Sequence, residues 1–355
     1  MDGTALIYTA NAFATNAAKT AHGLIRGTER YQIVGVLDTE HAGADAGALL
    51  DGRSREIPIW ANLQEALEGL PDKPDFLIIG IASAGGKLDP EWFPLLRESL
   101  QAGISLVSGM HSFLADVPEL VELAQKHACQ LIDVRKPKPG AERAFWTGAI
   151  QDVKAAIVPV LGTDCAVGKR TTARMLREAC DAAGIKSEMV YTGQTGWLQG
   201  GKYGFIFDST LNDFVSGELE KAIVDCDKEV QPDVIFVEGQ AALRNPSGPC
   251  GSEFLVSGGA DAAVLVHPPA RVFYKGWQHT GRKIPHLREE IALIRMYGVE
   301  TLGIALNTQG LTDEKSKDWQ QYFKEELGLP VVLPVEEGVD GLLPHIRALI
   351  RSKKS

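Results

Sequence analysis

The chain is short of three things: paired cysteines, excess positive charge and long apolar runs. Its five cysteines, Cys129, Cys165, Cys180, Cys226 and Cys250 among 355 residues, are scattered without the spacing of a disulfide frame or a zinc site. An odd, dispersed set points to a reducing compartment and to no metal centre. The net charge of −10 excludes general nucleic-acid binding, which demands a basic surface. No apolar run approaches the roughly 20 residues that span a bilayer. The opening MDGTALIYTA also lacks the basic start of a secretory leader. The expectation is a cytoplasmic protein without nucleic-acid or membrane partners.

An apolar fraction of 45% and a charged fraction of 23% fit a globular enzyme, and the length calls for two domains. Short apolar runs at Ala5–Tyr8, Ile33–Leu37, Phe76–Ile79, Ile104–Val107 and Gln130–Val134 read as buried strands. Helical patterns such as Thr15–Arg26 and Pro90–Ala102 lie between them. This alternation predicts a parallel sheet, a Rossmann-like domain over residues 1–135. Asp38 ends the second strand, where a dinucleotide domain places its ribose-binding acid. The first turn, residues 9–16, has no glycine, so it does not offer the close backbone approach that a pyrophosphate needs.

Lys136-Pro137-Lys138-Pro139-Gly140 cannot continue a helix and opens a linker over 136–152. Arg135, Lys136, Lys138, Arg143 and Lys154 make this region basic, either as a solvated linker or as a positive rim around an anionic ligand. A second α/β series fills 153–355, with strands expected at 157–161, 188–192, 233–237, 263–267, 301–306 and 331–335 and helices at 213–226, 285–297 and 314–326. The tail Arg351–Ser355 is expected to fray. The fold class is thus α/β with two doubly wound domains, the second a P-loop NTPase-like domain with a mostly parallel sheet.

The second domain opens on Ile157–Leu161, then Gly162-Thr163-Asp164-Cys165-Ala166-Val167-Gly168-Lys169-Arg170-Thr171-Thr172. A strand, a glycine loop and a helix in that order form a phosphate cradle. Tight turns aim successive N–H groups into one hollow at a helix N-terminus, and Lys169 adds a point charge. As a loop lysine it is expected to be exposed and to carry little stability. Five residues separate the two glycines where the common motif has four. Arg170 also stands where a Ser or Thr hydroxyl holds Mg²⁺, with Thr171 and Thr172 only pointing elsewhere on the helix. The spacing resembles that of dethiobiotin synthetase, an ATP-using P-loop enzyme, which carries a Val-Glu-Gly similar to Val237-Glu238-Gly239 at the end of the apolar strand that begins at Val234. There Glu238 can hold a cation, act as a general base or cap the next helix.

Other polar groups follow strand ends. Thr192-Gly193-Gln194-Thr195-Gly196 suits a ligand-contacting turn, and Gln240, Arg244, Asn245 and Ser247 lie in a Gly/Pro-rich loop. His267 and Arg271 end another strand, with Tyr274 and Lys275 beyond. In the first domain Ser83–Lys87, Gly109-Met110-His111 and Asp133-Val134-Arg135 are similarly placed.

Taken together, residues 162–172, Thr-Gly-Gln-Thr-Gly at 192–196, Val-Glu-Gly-Gln at 237–240, His-Pro-Pro-Ala-Arg at 267–271 and Asp-Val-Arg-Lys-Pro at 133–137 resemble the D-glutamate N-acetyltransferase family. Lys19-Thr20-Ala21, residues 34–38 and residues 109–114 extend the match over nearly the whole chain. The resemblance implies a Rossmann-like domain joined to a P-loop domain, with an acetyl group moved from acetyl-CoA, as co-substrate, to the amine of D-glutamate, a small-molecule amino-acid acceptor. It implies that the 162–172 loop holds coenzyme phosphates, that Glu238 or Asp164 is the base with Lys169 at the centre, and that Gln194, Gln240, His267, Arg271, Arg244 or Arg135 holds the substrate. A homo-oligomer is the default assembly. Two other functions remain open: a Mg-ATP-dependent kinase or ligase, the less favoured because of Arg170, and a non-catalytic nucleotide sensor.

Overall fold

The computed structural model describes residues 1–82 and 84–354. The chain divides into two compact units, Met1–Lys138 with Gln194–Gly201, and Pro139–Gly193 with Lys202–Ser355. Among the described residues no helix is long and apolar enough to cross a membrane.

The first unit contains strands β1 (Gly3–Tyr8), β2 (Tyr31–Leu37), β3 (Ile59–Trp60), β4 (Phe76–Ile79), β5 (Ser105–Ser108) and β6 (Leu131–Asp133). All pair in parallel, in the order β3-β2-β1-β4-β5-β6. Successive residues on these strands serve opposite faces, as the period of two requires. Leu6, Leu77 and Leu106 pack with Leu96, Leu100 and Leu120 on one face. Ile7, Ile78 and Val107 pack with Ala21, Leu24 and Leu198 on the other. Both faces are therefore helix-covered, which explains why the strands read as continuous apolar runs. Asp38 is turned inward: its carboxylate accepts from Thr9 Oγ1 at 2.6 Å and Phe13 N at 3.1 Å and meets His41 Nδ1 at 2.8 Å. It is occupied with closing its own turn.

The second unit contains β7 (Ala156–Gly162), β8 (Ser187–Val190), β9 (Val234–Glu238), β10 (Ala262–His267), β11 (Glu300–Leu306) and β12 (Val331–Val332). They too are all parallel, in the order β12-β11-β10-β7-β9-β8. Val158 and Val160 face the helix Lys169–Ala182 through Leu176 and Cys180. Ile157 and Leu161 face the opposite core, built with Leu219, Leu287 and Phe323. The chain leaves β7 toward β8 and β9 on one side and returns to β10, β11 and β12 on the other. The C-terminal end of β7 is therefore the switch point where such sheets bind ligands.

Two expectations are corrected here. Within the stretch 136–152, residues 144–150 are tied to their own unit by backbone hydrogen bonds, while 139–142 remain exposed as a solvated linker would be. Buried Glu218 accepts from Ala144 N at 2.9 Å, and buried Glu220 from Thr147 N at 2.6 Å and Ile150 N at 3.2 Å. Gly217 lets the strap lie on the helix Asn212–Val230, since a Cβ there would sit 2.3 Å from Ala144 O. The tail is helical through Lys354 rather than frayed. Ile346 and Ile350 bury into the core, and Lys353 and Lys354 pair with Asp261 and Asp233 at 2.7 and 2.6 Å.

Candidate functional site

Strand ends of the second unit gather four loops around the β7 switch point. After Gly162 the chain turns through Thr163–Gly168 into the helix Lys169–Ala182. Gly168 stands at φ +100° and Ala166 at +50°, left-handed positions that let the backbone curl into a nest. The first backbone bond at this end runs from Thr172 N to Gly168 O, at 2.9 Å. The preceding N–H groups of the first turn thus face the hollow. Gly162 is required by a close approach: a Cβ there would meet Val167 Cγ2 at 2.7 Å and the Lys169 stem at 3.1 Å.

Lys169 is buried, contrary to expectation, because its stem runs under Gly162. Its ammonium donates to Asp164 O at 2.8 Å and to Ala241 O at 2.7 Å, stitching the phosphate loop to the loop after β9. Burial pulls its pKa down, against the opposing fields of Cys165, Asp164, Cys250 and Glu238. Two of its three N–H donors serve these carbonyls. Arg170 and Thr171 are half-buried in the same turn, while Thr172 is buried.

Asp164 carries no exposed surface. Its Oδ1 accepts from Cys165 N at 2.7 Å and Asn245 Nδ2 at 3.0 Å, and its Oδ2 from Arg271 Nη1 and Lys275 N, both at 2.8 Å. Four donors fill a carboxylate's capacity, so this group organises the loops and leaves no lone pair for an incoming proton. Arg271 also donates to Cys165 O at 2.9 Å, and Asn307 Nδ2 holds Val167 O at 2.9 Å. Asn245 belongs to the loop the sequence marked after Glu238, whereas Asn307 did not stand out as a site residue. The visible signal for Asn307 was an apolar strand ending in an amide.

Glu238 ends β9 and is buried. Its Oε2 accepts from Thr192 N at 3.1 Å, Thr192 Oγ1 returns a bond to the Glu238 carbonyl at 2.6 Å, and Gln240 Nε2 donates to that hydroxyl at 2.9 Å. Gly193 passes beside both side chains, since a Cβ there would lie 3.3 Å from Gln240 Nε2 and 3.6 Å from Glu238 Oε1. Glu238 and Gln240 are thus brought together with Thr192, on the same edge as Lys169.

The arginines differ from expectation. Arg244, expected to meet a substrate carboxylate, is held by Glu290 at 2.6 Å and Glu289 at 2.8 Å. Arg271 is committed to Asp164. Gln194 and Arg135 both belong to the first unit, where Arg135 Nη2 donates to Gln194 Oε1 at 2.6 Å and Nη1 meets His111 Nε2. Gly86 O accepts from His111 N at 2.7 Å. Ser83 lies outside the described residues.

His267 is half-buried at the end of β10, with Nδ1 2.9 Å from Thr163 Oγ1. Its pKa is pushed down to about 4 from an ordinary 6.5, first by burial, then by His286 and Arg271. In that interval the unfolded chain binds the proton and the folded one does not, so stability is expected to fall as pH drops from about 6.5 to about 4, by at most about 3 kcal/mol. His267→Gln should flatten this part of the urea-midpoint profile between pH 4 and 7. An unaltered slope would place the responsible proton on another group.

The fold and the loop define a class: a two-domain α/β protein with a Rossmann-like N-terminal half and a P-loop C-terminal half. Residues 39–137 match the Rossmann-like domain of unknown function DUF1611_N, and residues 144–343 match the P-loop domain of unknown function DUF1611_C. The chain belongs to the DUF1611 family. It is 33% identical over 276 residues to a D-glutamate N-acetyltransferase of a Pseudoalteromonas species, covering 76% of this chain and 80% of that one. It is 33% identical over 280 residues to a D-glutamate N-acetyltransferase of Tritonibacter scottomollicae, covering 77% and 81%. The crystal structure of a DUF1611 family protein from Anabaena variabilis superposes with a TM-score of 0.89 at 31% identity, covering 98% of this chain and 99% of that one.

Proposed function

We propose that the protein is an N-acetyltransferase that moves the acetyl group of acetyl-CoA to the amine of D-glutamate. The observation that carries this reading is the 33% identity to two D-glutamate N-acetyltransferases over three quarters of the chain. The geometry of the second unit is compatible with it. A nest at a helix N-terminus with a buried lysine suits the phosphates of a coenzyme, and Arg170 replaces the hydroxyl that would hold Mg²⁺ for ATP chemistry.

In the transfer a C–N bond forms and the C–S bond of the thioester breaks. The acceptor must arrive as a free amine, so one proton leaves its nitrogen, and the departing thiolate takes up a proton to end as the thiol. Glu238 is the carboxylate on this edge with room at one oxygen, and it takes the amine proton. Asp164 and Lys169 shape the cradle, and Gln240 holds the Thr192 hydroxyl that braces Glu238.

Release of coenzyme A thiol from acetyl-CoA, dependent on D-glutamate, tests the reading. The expected result is turnover with D-glutamate above that with other amino acids. No thiol release with any amino acid, together with micromolar binding of Mg-ATP and none of coenzyme A, would sink it.

A further inference from the structure

A cavity of about 580 Å³ opens in the second unit where β10 ends, beside the helix Asp313–Leu327. Its size is that of a small-molecule site, and its walls are mainly apolar and aromatic. Trp319, Tyr322 and Phe323 stand at i, i+3 and i+4 of that helix and so share one face. The Trp319 and Phe323 rings stack at 5.4 Å and 21°, with Tyr322 edge-on to Trp319 at 5.5 Å. Trp319 is only half-buried and Tyr322 is 47% exposed, so this aromatic wall reaches the opening instead of disappearing into the core.

Its permanent side-chain charges, on Arg271 and Lys283, are both positive. Arg271, Lys283 and His286 line the cavity and no carboxylate does. His286 leans on Glu326, at 3.5 Å, which also holds Arg288 at 2.9 Å. Lys283 has no ion-pair partner among the described residues. The ammonium group of a free amino acid would find no carboxylate among these lining residues. A planar heteroaromatic ring with an attached phosphate is matched on both counts, by stacking and by charge. Arg271 also ties the cavity to the phosphate loop, since the same side chain that lines it grips Asp164 and Cys165 O.

We propose that this cavity is an adenine-nucleotide site that takes the adenosine 3′-phosphate end of acyl-coenzyme A, the ring against Trp319 and Tyr322 and the ribose phosphate at Lys283. The assignment to the coenzyme rests on the acetyltransferase reading; the purine site itself does not. His267, whose pKa is pushed down to about 4, also lines it.

The test is calorimetric titration of the full chain with adenosine 3′,5′-bisphosphate, ADP and 4′-phosphopantetheine. Wild type should bind the bisphosphate more tightly than ADP. Tyr322→Ala and Lys283→Ala, both exposed and safe for folding, should each weaken it by about 5- to 10-fold. Trp319→Ala should weaken it by about 10-fold or more, with Trp319→Tyr restoring most of the loss. Phosphopantetheine binding should not change. Absence of bisphosphate binding, or wild-type affinity in both Tyr322→Ala and Lys283→Ala, overturns the site, and ADP binding as tightly as the bisphosphate overturns its assignment to the coenzyme. Purine binding without thiol release leaves the site standing and removes the acetyltransferase reading. Thiol release with a KM for acetyl-CoA unmoved by Tyr322→Ala does the reverse.

Discussion

Lys169→Met is expected to reduce affinity for coenzyme A by about 100-fold while leaving the stability of the ligand-free protein nearly unchanged. The first effect follows from losing a charge-assisted bond to phosphate, worth about 1.5–3 kcal/mol and more where water is excluded. The second follows from two opposing terms. Removing the ammonium deprives the carbonyls of Asp164 and Ala241 of a donor, a cost of about 1–3 kcal/mol for each that stays dry. It also removes a buried charge whose pKa is already depressed by burial, relieving a desolvation penalty of several kcal/mol. Methionine keeps an unbranched stem for the space beneath Gly162. Paired measurements decide the matter: a melting curve without ligand, and the upward shift that coenzyme A produces. Loss of the shift with an unchanged ligand-free melt supports the cradle. A collapsed melt would make the lysine a structural staple, and a retained shift would put the phosphates elsewhere.

This lysine also marks where sequence reading stops. The loop itself was legible because its information is local: an apolar strand, two glycines and a helix within sixteen residues. The expectation of an exposed lysine failed because its ammonium is also held by the Ala241 carbonyl, 72 residues away, a partner that no local pattern reveals. The arginines failed for the same reason. Arg271 and Asp164 lie 107 positions apart and Arg244 and Glu290 lie 46 apart. A sequence shows the cations but not which acids will neutralise them. β3 was missed because two residues carry no periodicity. The glycine-rich stretch after Thr192 read as a single turn, yet Gln194–Gly201 joins the first unit. There Gln199 Nε2 donates to Gly23 O at 2.8 Å and Gly27 O at 2.9 Å, and Arg30 lies 4.0 Å over the Trp197 ring. Only long-range packing assigns such a segment. The ends of β7, β9 and β10 fall within one residue of expectation because buried parallel strands are apolar throughout, and the first polar residue marks the edge.

Glu238→Gln should lower kcat by about 10³-fold at neutral pH, with the KM for acetyl-CoA changed only a few-fold. General-base assistance contributes about 10²–10⁴-fold, and the amide has the shape of the carboxylate. Its oxygen still accepts from Thr192 N, and the backbone bond from Thr192 Oγ1 to residue 238 does not involve the side chain. The fold and the coenzyme cradle should therefore survive, which an unchanged melting curve checks. What is lost is the acceptor for the amine proton. The deficit should shrink as pH rises, because an acceptor amine already deprotonated in solution has less need of a base. The alternative carboxylate, Asp164, has no such freedom. Its two oxygens are saturated by four donors, and protonating it would break the Arg271 pair and loosen the phosphate loop. A Glu238→Gln protein that keeps more than a tenth of wild-type kcat would rule Glu238 out as the base. A kcat deficit that stays constant up to high pH would mean that the carboxylate acts on the substrate by its charge and not by taking a proton.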